Sequence, residues 1–174
     1  MTVKVRAYRR DDRHSLVRAI DQVCGEESWM ATTRFEPTPS WCHALEQPGC
    51  PHHHLLVAEA EGQVVGWCRI FPRMCRHQGS TAELGVGLLP AHRRRGLGRA
   101  LVRQSLAWAQ RAGLDAVHLT TMSANRPAVH LFLDSGFAPD ATPRDGQLTM
   151  RCNLCAGEHA ELAGKGEKKH VEGT

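Results

Sequence analysis

The stretch LLPAHRRRGLGRALV, Leu88 to Val102, sets three consecutive arginines and two glycines between an apolar strand and an apolar helix. A charge run alone is usually a solvated face. Glycines near a helix start are different, because each costs roughly 1 kcal/mol relative to alanine inside a helix. A tight turn that feeds a helix N-terminus accounts for them. There the first N–H groups lack partners and the helix dipole is positive, so an anion is favoured. Glycine removes the Cβ that would block close approach, and arginine adds charge-assisted hydrogen bonds. Arg93-Arg94-Arg95-Gly96-Leu97-Gly98-Arg99 therefore reads as a phosphate-binding strand–turn–helix. Neither G-x-x-x-x-G-K-[ST] nor G-x-G-x-x-G is present, since Leu101 stands at the third glycine position of the latter.

Outward from this loop, periodicity assigns the remaining elements. Leu97 to Ala112 is a helix with Leu97, Leu101, Val102, Leu106 and Trp108 at helical spacing, ended by Gly113. Residues 81–89, TAELGVGLL, form the strand before it, and AVHLTTM (116–122) the strand after it. Asn125 to Ser135 is a second helix, closed by Gly136. Upstream, VKVRAY reads as a strand and Asp11 or Asp12 caps a helix ending near Cys24. A short helix over Ser40–Gln47 and a hairpin over 54–60 and 63–74, turning at Glu61-Gly62, follow. GFAPD and GQLTMRCNL supply the last strand pair. The order strand, helix, helix, three strands, helix, strand, helix, two strands predicts a three-layer α/β (α+β) domain. Its central sheet is mixed, mostly antiparallel and of six to seven strands, with helices on both faces.

The chain has 174 residues, 41% of them apolar and 23% charged, the composition of one globular domain. The expected division is a domain over 1–155 and a polar, disordered tail over 156–174. A net charge of +4 is too mild for a polyanion, and an aromatic content of 5% with no recognition motif argues against nucleic acid. The positive charge is instead local, at Arg93, Arg94, Arg95, Arg99 and Arg103. No apolar run is long enough to span a membrane, and the start of the chain shows no export signal. Seven cysteines, an odd and irregularly spaced set, read as free thiols in a reducing cytoplasm. CPHHH (Cys50, His52, His53, His54), WCH (Cys42, His43) and the single CNLC (Cys152, Cys155) with His159 fall short of two well-spaced pairs. No metal is expected from them.

Two segments together carry a family resemblance. Arg93, Gly96 and Gly98 fill the pattern [Q/R]-x-x-G-x-[G/A]. Asn125, Ala128, Gly136 and Phe137 in NRPAVHLFLDSGF fill a second, one helix and one strand later. The chain thus resembles the GNAT acetyltransferase superfamily. The resemblance implies acetyl-CoA as co-substrate. Backbone N–H groups of Arg94 to Arg99 would hold its pyrophosphate, Leu88 and Leu89 would pair with its pantetheine, and Asn125 would contact the cofactor arm. It implies acetyl transfer to a primary amine, on a small molecule rather than a protein, by direct attack in a ternary complex. A homodimer is compatible with it. A non-catalytic acyl-CoA sensor is the alternative.

The chemistry then needs a base. Neutralising an alkylammonium at pH 7 costs roughly 4.6 kcal/mol. Glu83 is the candidate, because strand alternation puts it on one face with Gly85 and Gly87, a wall that looks open to a substrate. His118 is a weaker alternative, more simply read as packed. Phe132 stands where many relatives have a tyrosine acid, and His130 is expected to turn away from it. A backbone N–H on strand 84–89 would polarise the thioester carbonyl. The resemblance places the acceptor site at residues 25–40 and 141–147, where Glu26, Glu27 and Glu36 could attract a cationic amine and Trp29, Phe35 and Trp41 could pack it; a solvated loop with core aromatics is the favoured reading of the same residues.

Overall fold

The computed structural model of the protein describes residues 2–26, 33–72 and 80–154. Its elements run β1 (Val3–Ala7), α1 (Arg13–Cys24), α2 (Pro39–Glu46), β2 (His54–Ala60), β3 (Gln63–Pro72), β4 (Thr81–Leu88), α3 (Leu97–Arg111), β5 (Ala116–Met122), α4 (Arg126–Asp134), β6 (Ala138–Pro139) and β7 (Gln147–Asn153). This is the order read from the sequence. The expected tail, Arg73 and Met74 of the predicted hairpin, and Cys155 lie outside the described residues.

One seven-stranded sheet, in the order β1-β2-β3-β4-β5-β7-β6, divides the molecule. Every neighbouring pair is antiparallel except β4 and β5, which α3 connects. On one face α1 buries Leu16, Ile20 and Val23, at i, i+4 and i+7, and α2 buries Trp41, Ala44 and Leu45. They pack on Tyr8, Leu55, Val57, Trp67 and Phe71. On the other face Leu101, Val102 and Ala109 of α3 and Phe132 of α4 pack on Leu56, Ile70, Leu84, Leu119 and Met150. β2 is covered on both faces, which is why HLLVAEA reads as a nearly continuous apolar run rather than an alternation.

Most boundaries shift by a residue at most, and three of the differences have a physical reason in the structure. β4 ends at Leu88, because Leu89 opens a short 3₁₀ turn over Pro90–His92. Pro90 has no N–H to extend the ladder. Asn125 precedes α4 as its cap, its Oδ1 accepting from the Ala128 N–H at 3.3 Å. At the start of α1 the expected aspartate cap is absent: Asp12 is helical and makes no cap bond to α1. Its carboxylate instead accepts two hydrogen bonds from Arg6, both 2.7 Å, and one from the Arg9 N–H. Arg6 also donates to Glu59 at 2.7 Å, so β1, β2 and the entry to α1 are tied together. A half-buried guanidinium, giving two charge-assisted bonds, outcompetes the helix N–H groups for the carboxylate.

Among the described residues Cys42, Cys50, Cys68 and Cys152 are free thiols. Burial pushes the Cys68 thiol up to about 12, so it is inert at neutral pH. No helix among the described residues is long and apolar enough to cross a membrane.

The Arg6 hydrogen bonds hold the Asp12 carboxyl below its ordinary pKa, so its stabilisation is present above the unfolded carboxylate pKa and is lost as pH falls through the folded value. Asp12→Asn should therefore cost about 1–2 kcal/mol at pH 7. Denaturant melts of both proteins should converge at acid pH. A difference of equal size at pH 7 and pH 2 would contradict the assigned role.

Candidate functional site

β4 and β5 are paired only from Thr81 to Glu83, against Ala116 to His118. Beyond that point each strand stays with its outer neighbour. β4 follows β3 to the pair Leu88↔Gly66, and β5 follows β7 to the pair Met122↔Gln147. The two central strands part, and a cleft of about 950 Å³ opens between them. It runs from the α1 and α2 face of the sheet, past the ends of β4 and β5, to the start of α3 and the side of α4.

The arginine–glycine loop forms one end of this cleft. Arg94 has φ 62° and Gly96 φ 78°, so alternate residues of the loop are left-handed. A Cβ added at Gly96 would meet nothing within 4 Å. The position is glycine for its backbone angle and because the space above it is open. α3 starts with no side-chain cap, and the first N–H it uses internally is that of Ala100, donated to the Gly96 carbonyl. The N–H groups of Leu97, Gly98 and Arg99 are thus the orphan donors of a helix start. Leu97 is half-buried, Gly98 buried, and Arg94 and Arg95 are exposed.

The arginines divide their work. Arg93 turns away from the loop's mouth. Its Nε donates to the Leu88 carbonyl at 2.9 Å, and its two terminal nitrogens hold Glu26 at 2.8 and 2.6 Å. It pins the end of β4 and the loop to the end of α1. Arg99 makes an exposed pair with Asp134 of α4. Arg94 and Arg95 carry the exposed positive charge. Leu89 donates its N–H to Val65 on the β3 side at 2.9 Å. By strand alternation the backbone groups of Leu88 and Val86 face the cleft, as the Arg93 contact to Leu88 requires. Asn125 and Ala128 line the same cleft.

On the opposite wall the expected opening beside Glu83 is filled. Cross-strand register sets Trp67 opposite Gly87, Arg69 opposite Gly85 and Phe71 opposite Glu83. A Cβ at Gly87 would lie 2.3 Å from the Trp67 ring, and one at Gly85 would lie 2.9 Å from Arg69 Nε. These glycines make room for large neighbours on β3, and both still line the cleft. Glu83 still lines the cleft, where it accepts a hydrogen bond from Arg69 at 2.8 Å. Arg69 lies over the rings of Phe71 and Trp41, and Phe35 meets Trp41 edge-on at 5.2 Å. Arg69 escaped the sequence reading. Its signal was a lone charge inside the apolar run VVGWCRIF.

The other singled-out residues fall as follows. Leu89 lies just past β4. Phe132 is buried edge-on to Phe137 and lines the cleft, and His130 borders it too rather than turning away. His118 is buried beside Asp140, its Nδ1 3.6 Å from the carboxylate. Phe35, Glu36 and Trp41 line the cleft, whereas residues 141–147 do not. Glu27 and Trp29 lie outside the described residues. Away from the cleft, the Cys/His segments read as unlikely metal ligands are nonetheless brought together: ligand atoms of His43, Cys50 and His53 all lie within 4.8 Å of one another.

Comparison with known proteins places this arrangement. The model of the acetyltransferase (GNAT) family matches residues 15–137. A mycothiol acetyltransferase of Pseudarthrobacter chlorophenolicus is 37% identical over 89 residues, which is 50% of this chain and 28% of that protein. The chain spans between 28% and 39% of the length of the first curated relatives it matches. A GNAT-family acetyltransferase of Streptococcus pneumoniae superposes with a TM-score of 0.75 at 21% identity, covering 87% of this chain and 99% of that one. A phosphinothricin acetyltransferase of Sinorhizobium meliloti, solved in complex with acetyl-CoA, gives a TM-score of 0.71 at 16% identity, covering 88% and 89%. These structures share the fold.

The Arg93–Glu26 pair makes the loop's position testable without any ligand. Glu26→Gln should raise hydrogen exchange at amides 89–97 by about tenfold, the loss of one charge-assisted bond. Unchanged protection would show that the loop holds itself.

Proposed function

The chain belongs to the acetyltransferase (GNAT) family, and from that membership we propose that it moves an acetyl group from acetyl-CoA to a primary amine on a small molecule, by direct attack in a ternary complex. The single observation that carries the reading is the parting of β4 from β5 directly above a capless helix N-terminus. It supplies backbone groups along a slot and anion-binding N–H groups at its end.

The residues present fit acetyl-CoA. The space above Gly96 is open; the N–H groups from Arg94 to Arg99 would hold the pyrophosphate there, with Arg94 and Arg95 adding charge. Val86 and Leu88 would pair with the pantetheine amides as an added strand. Leu97 and Gly98 form the helix start beneath, and Asn125, which lines the cleft, would border the cofactor arm. Arg93 acts through position, by fixing the loop, rather than by touching phosphate. Bound acetyl-CoA supplies the reactive thioester. The Val86 N–H, which strand alternation turns to the cleft, would polarise its carbonyl.

The amine enters from the other face, between Phe35 and Trp41 and the carboxylate of Glu83. Arg69 orients that carboxylate. Glu83 draws the ammonium in and takes up its proton through water, which is the costly step at neutral pH. Phe132 has no proton to give, and none is required at once, because a thiol of ordinary pKa near 8.5 leaves as thiolate. Free thiols at Cys42, Cys50, Cys68 and Cys152 suit work in a reducing cytoplasm.

Two variants separate the roles. Gly96→Glu puts bulk and negative charge where phosphate would sit, and should lower acetyl-CoA affinity by at least about 100-fold in titration calorimetry. Unaltered affinity would remove the loop from the site. Glu83→Gln should leave acetyl-CoA affinity intact and lower kcat by about 10²–10⁴-fold. Undiminished turnover would take Glu83 out of the mechanism. Acetyl-CoA binding with no turnover on any amine panel would assign the sensor reading instead.

A further inference from the structure

The cluster at the end of α2 is a second site, separate from the cleft. His43 lies in the last turn of α2, while Cys50 and His53 follow in the turn that leads into β2. The Cys50 Sγ is 3.2 Å from His43 Nε2 and 3.5 Å from His53 Nδ1. The two imidazole rings are 4.4 Å apart, and all three side chains are half-buried. A tetrahedral zinc ion has Zn–S of about 2.3 Å and Zn–N of about 2.0–2.1 Å, which puts sulfur and nitrogen about 3.6 Å apart. The observed separations are within a few tenths of an ångström of that value.

We infer that His43, Cys50 and His53 bind one zinc-class divalent cation as a Cys-His₂ site. One thiolate and two imidazoles are the donor set of a borderline-soft ion and a poor one for magnesium or calcium. A cavity of about 150 Å³ borders Cys50 and His53 and has room for a water as fourth ligand. Binding breaks the Cys50 S–H bond and forms a sulfur–metal bond, and the proton leaves to solvent. The backbone already folds the turn back on the helix, through Cys50 N–H to the Gln47 carbonyl at 3.2 Å and His53 N–H to the Cys50 carbonyl at 3.4 Å. The ion would clip α2 to β2. His53 also lies against Phe71, at 5.3 Å between ring centroids, and Phe71 meets Trp41 at 5.2 Å. The site therefore backs onto the aromatic wall of the cleft. It is independent of the assignment of acetyl transfer.

The test uses the full chain stripped with chelator and titrated with Co²⁺, then with Zn²⁺ against a chromophoric chelator. Wild type should give a thiolate-to-cobalt charge-transfer band and tetrahedral d–d bands at one equivalent, and a rise in Tm of several degrees with Zn²⁺. Cys50→Ser should abolish the charge-transfer band and weaken zinc binding by about 100-fold or more, whereas Cys42→Ser, an exposed thiol on the same helix, should leave both unchanged. No band in wild type would overturn the site and leave a thiol hydrogen-bonded between two imidazoles. A band that survives Cys50→Ser would also overturn it, by placing the metal on other cysteines.

Discussion

The parting of β4 from β5 is the constraint on which the rest of the structure depends. Two strands that pair over three residues and then separate leave backbone N–H and C=O groups facing a gap. Inside a protein such groups cost about 1–3 kcal/mol each when unmet. The sheet tolerates them because each strand keeps its full outer ladder, β4 with β3 and β5 with β7, and because the gap is open to water. Arg93 answers one of them directly, at the Leu88 carbonyl, and through Glu26 anchors the loop that closes the far end. The cleft, the helix start at its end and the aromatic wall beside it are consequences of that one divergence.

The distribution of arginine follows from the same geometry. Five arginines in one segment would repel one another if all faced one anion. Instead Arg93 is neutralised by Glu26 and Arg99 pairs with Asp134, so the field at the loop comes chiefly from Arg94, Arg95 and the helix end. The pairing also divides specificity from support. A half-buried bidentate bond at Arg93 fixes shape, and exposed guanidiniums beside it remain adjustable to a ligand.

What the sequence made legible was local. The loop at 93–99 declares itself because glycine, arginine and the following apolar period lie within one short window. The element order is legible because each helix or strand carries its own period. The roles that could not be read are those set by register between distant strands. Gly85 and Gly87 look like an open wall along β4 alone; only the pairing with Arg69 and Trp67 shows them to be sockets for side chains on β3. Asp12 looks like a helix cap until Arg6, on another element, claims its carboxylate. His43, Cys50 and His53 have no recognised ligand spacing, because the turn after α2, not the sequence interval, sets the distances between them.

These long-range contacts converge on α2. Eight residues are too few for a helix to persist by propensity, so α2 depends on its ends and its packing. At its start Thr38 accepts from the Trp41 N–H, with Pro39 preset for the first turn. On its inner side Trp41 is held edge-on between Phe35 and Phe71. At its end His43 meets Cys50 and His53, and His53 rests on Phe71. Trp41 thus lines the cleft and, through the single ring of Phe71, reaches the Cys-His₂ cluster. Whatever fixes the end of α2 fixes the wall against which an acceptor would lie.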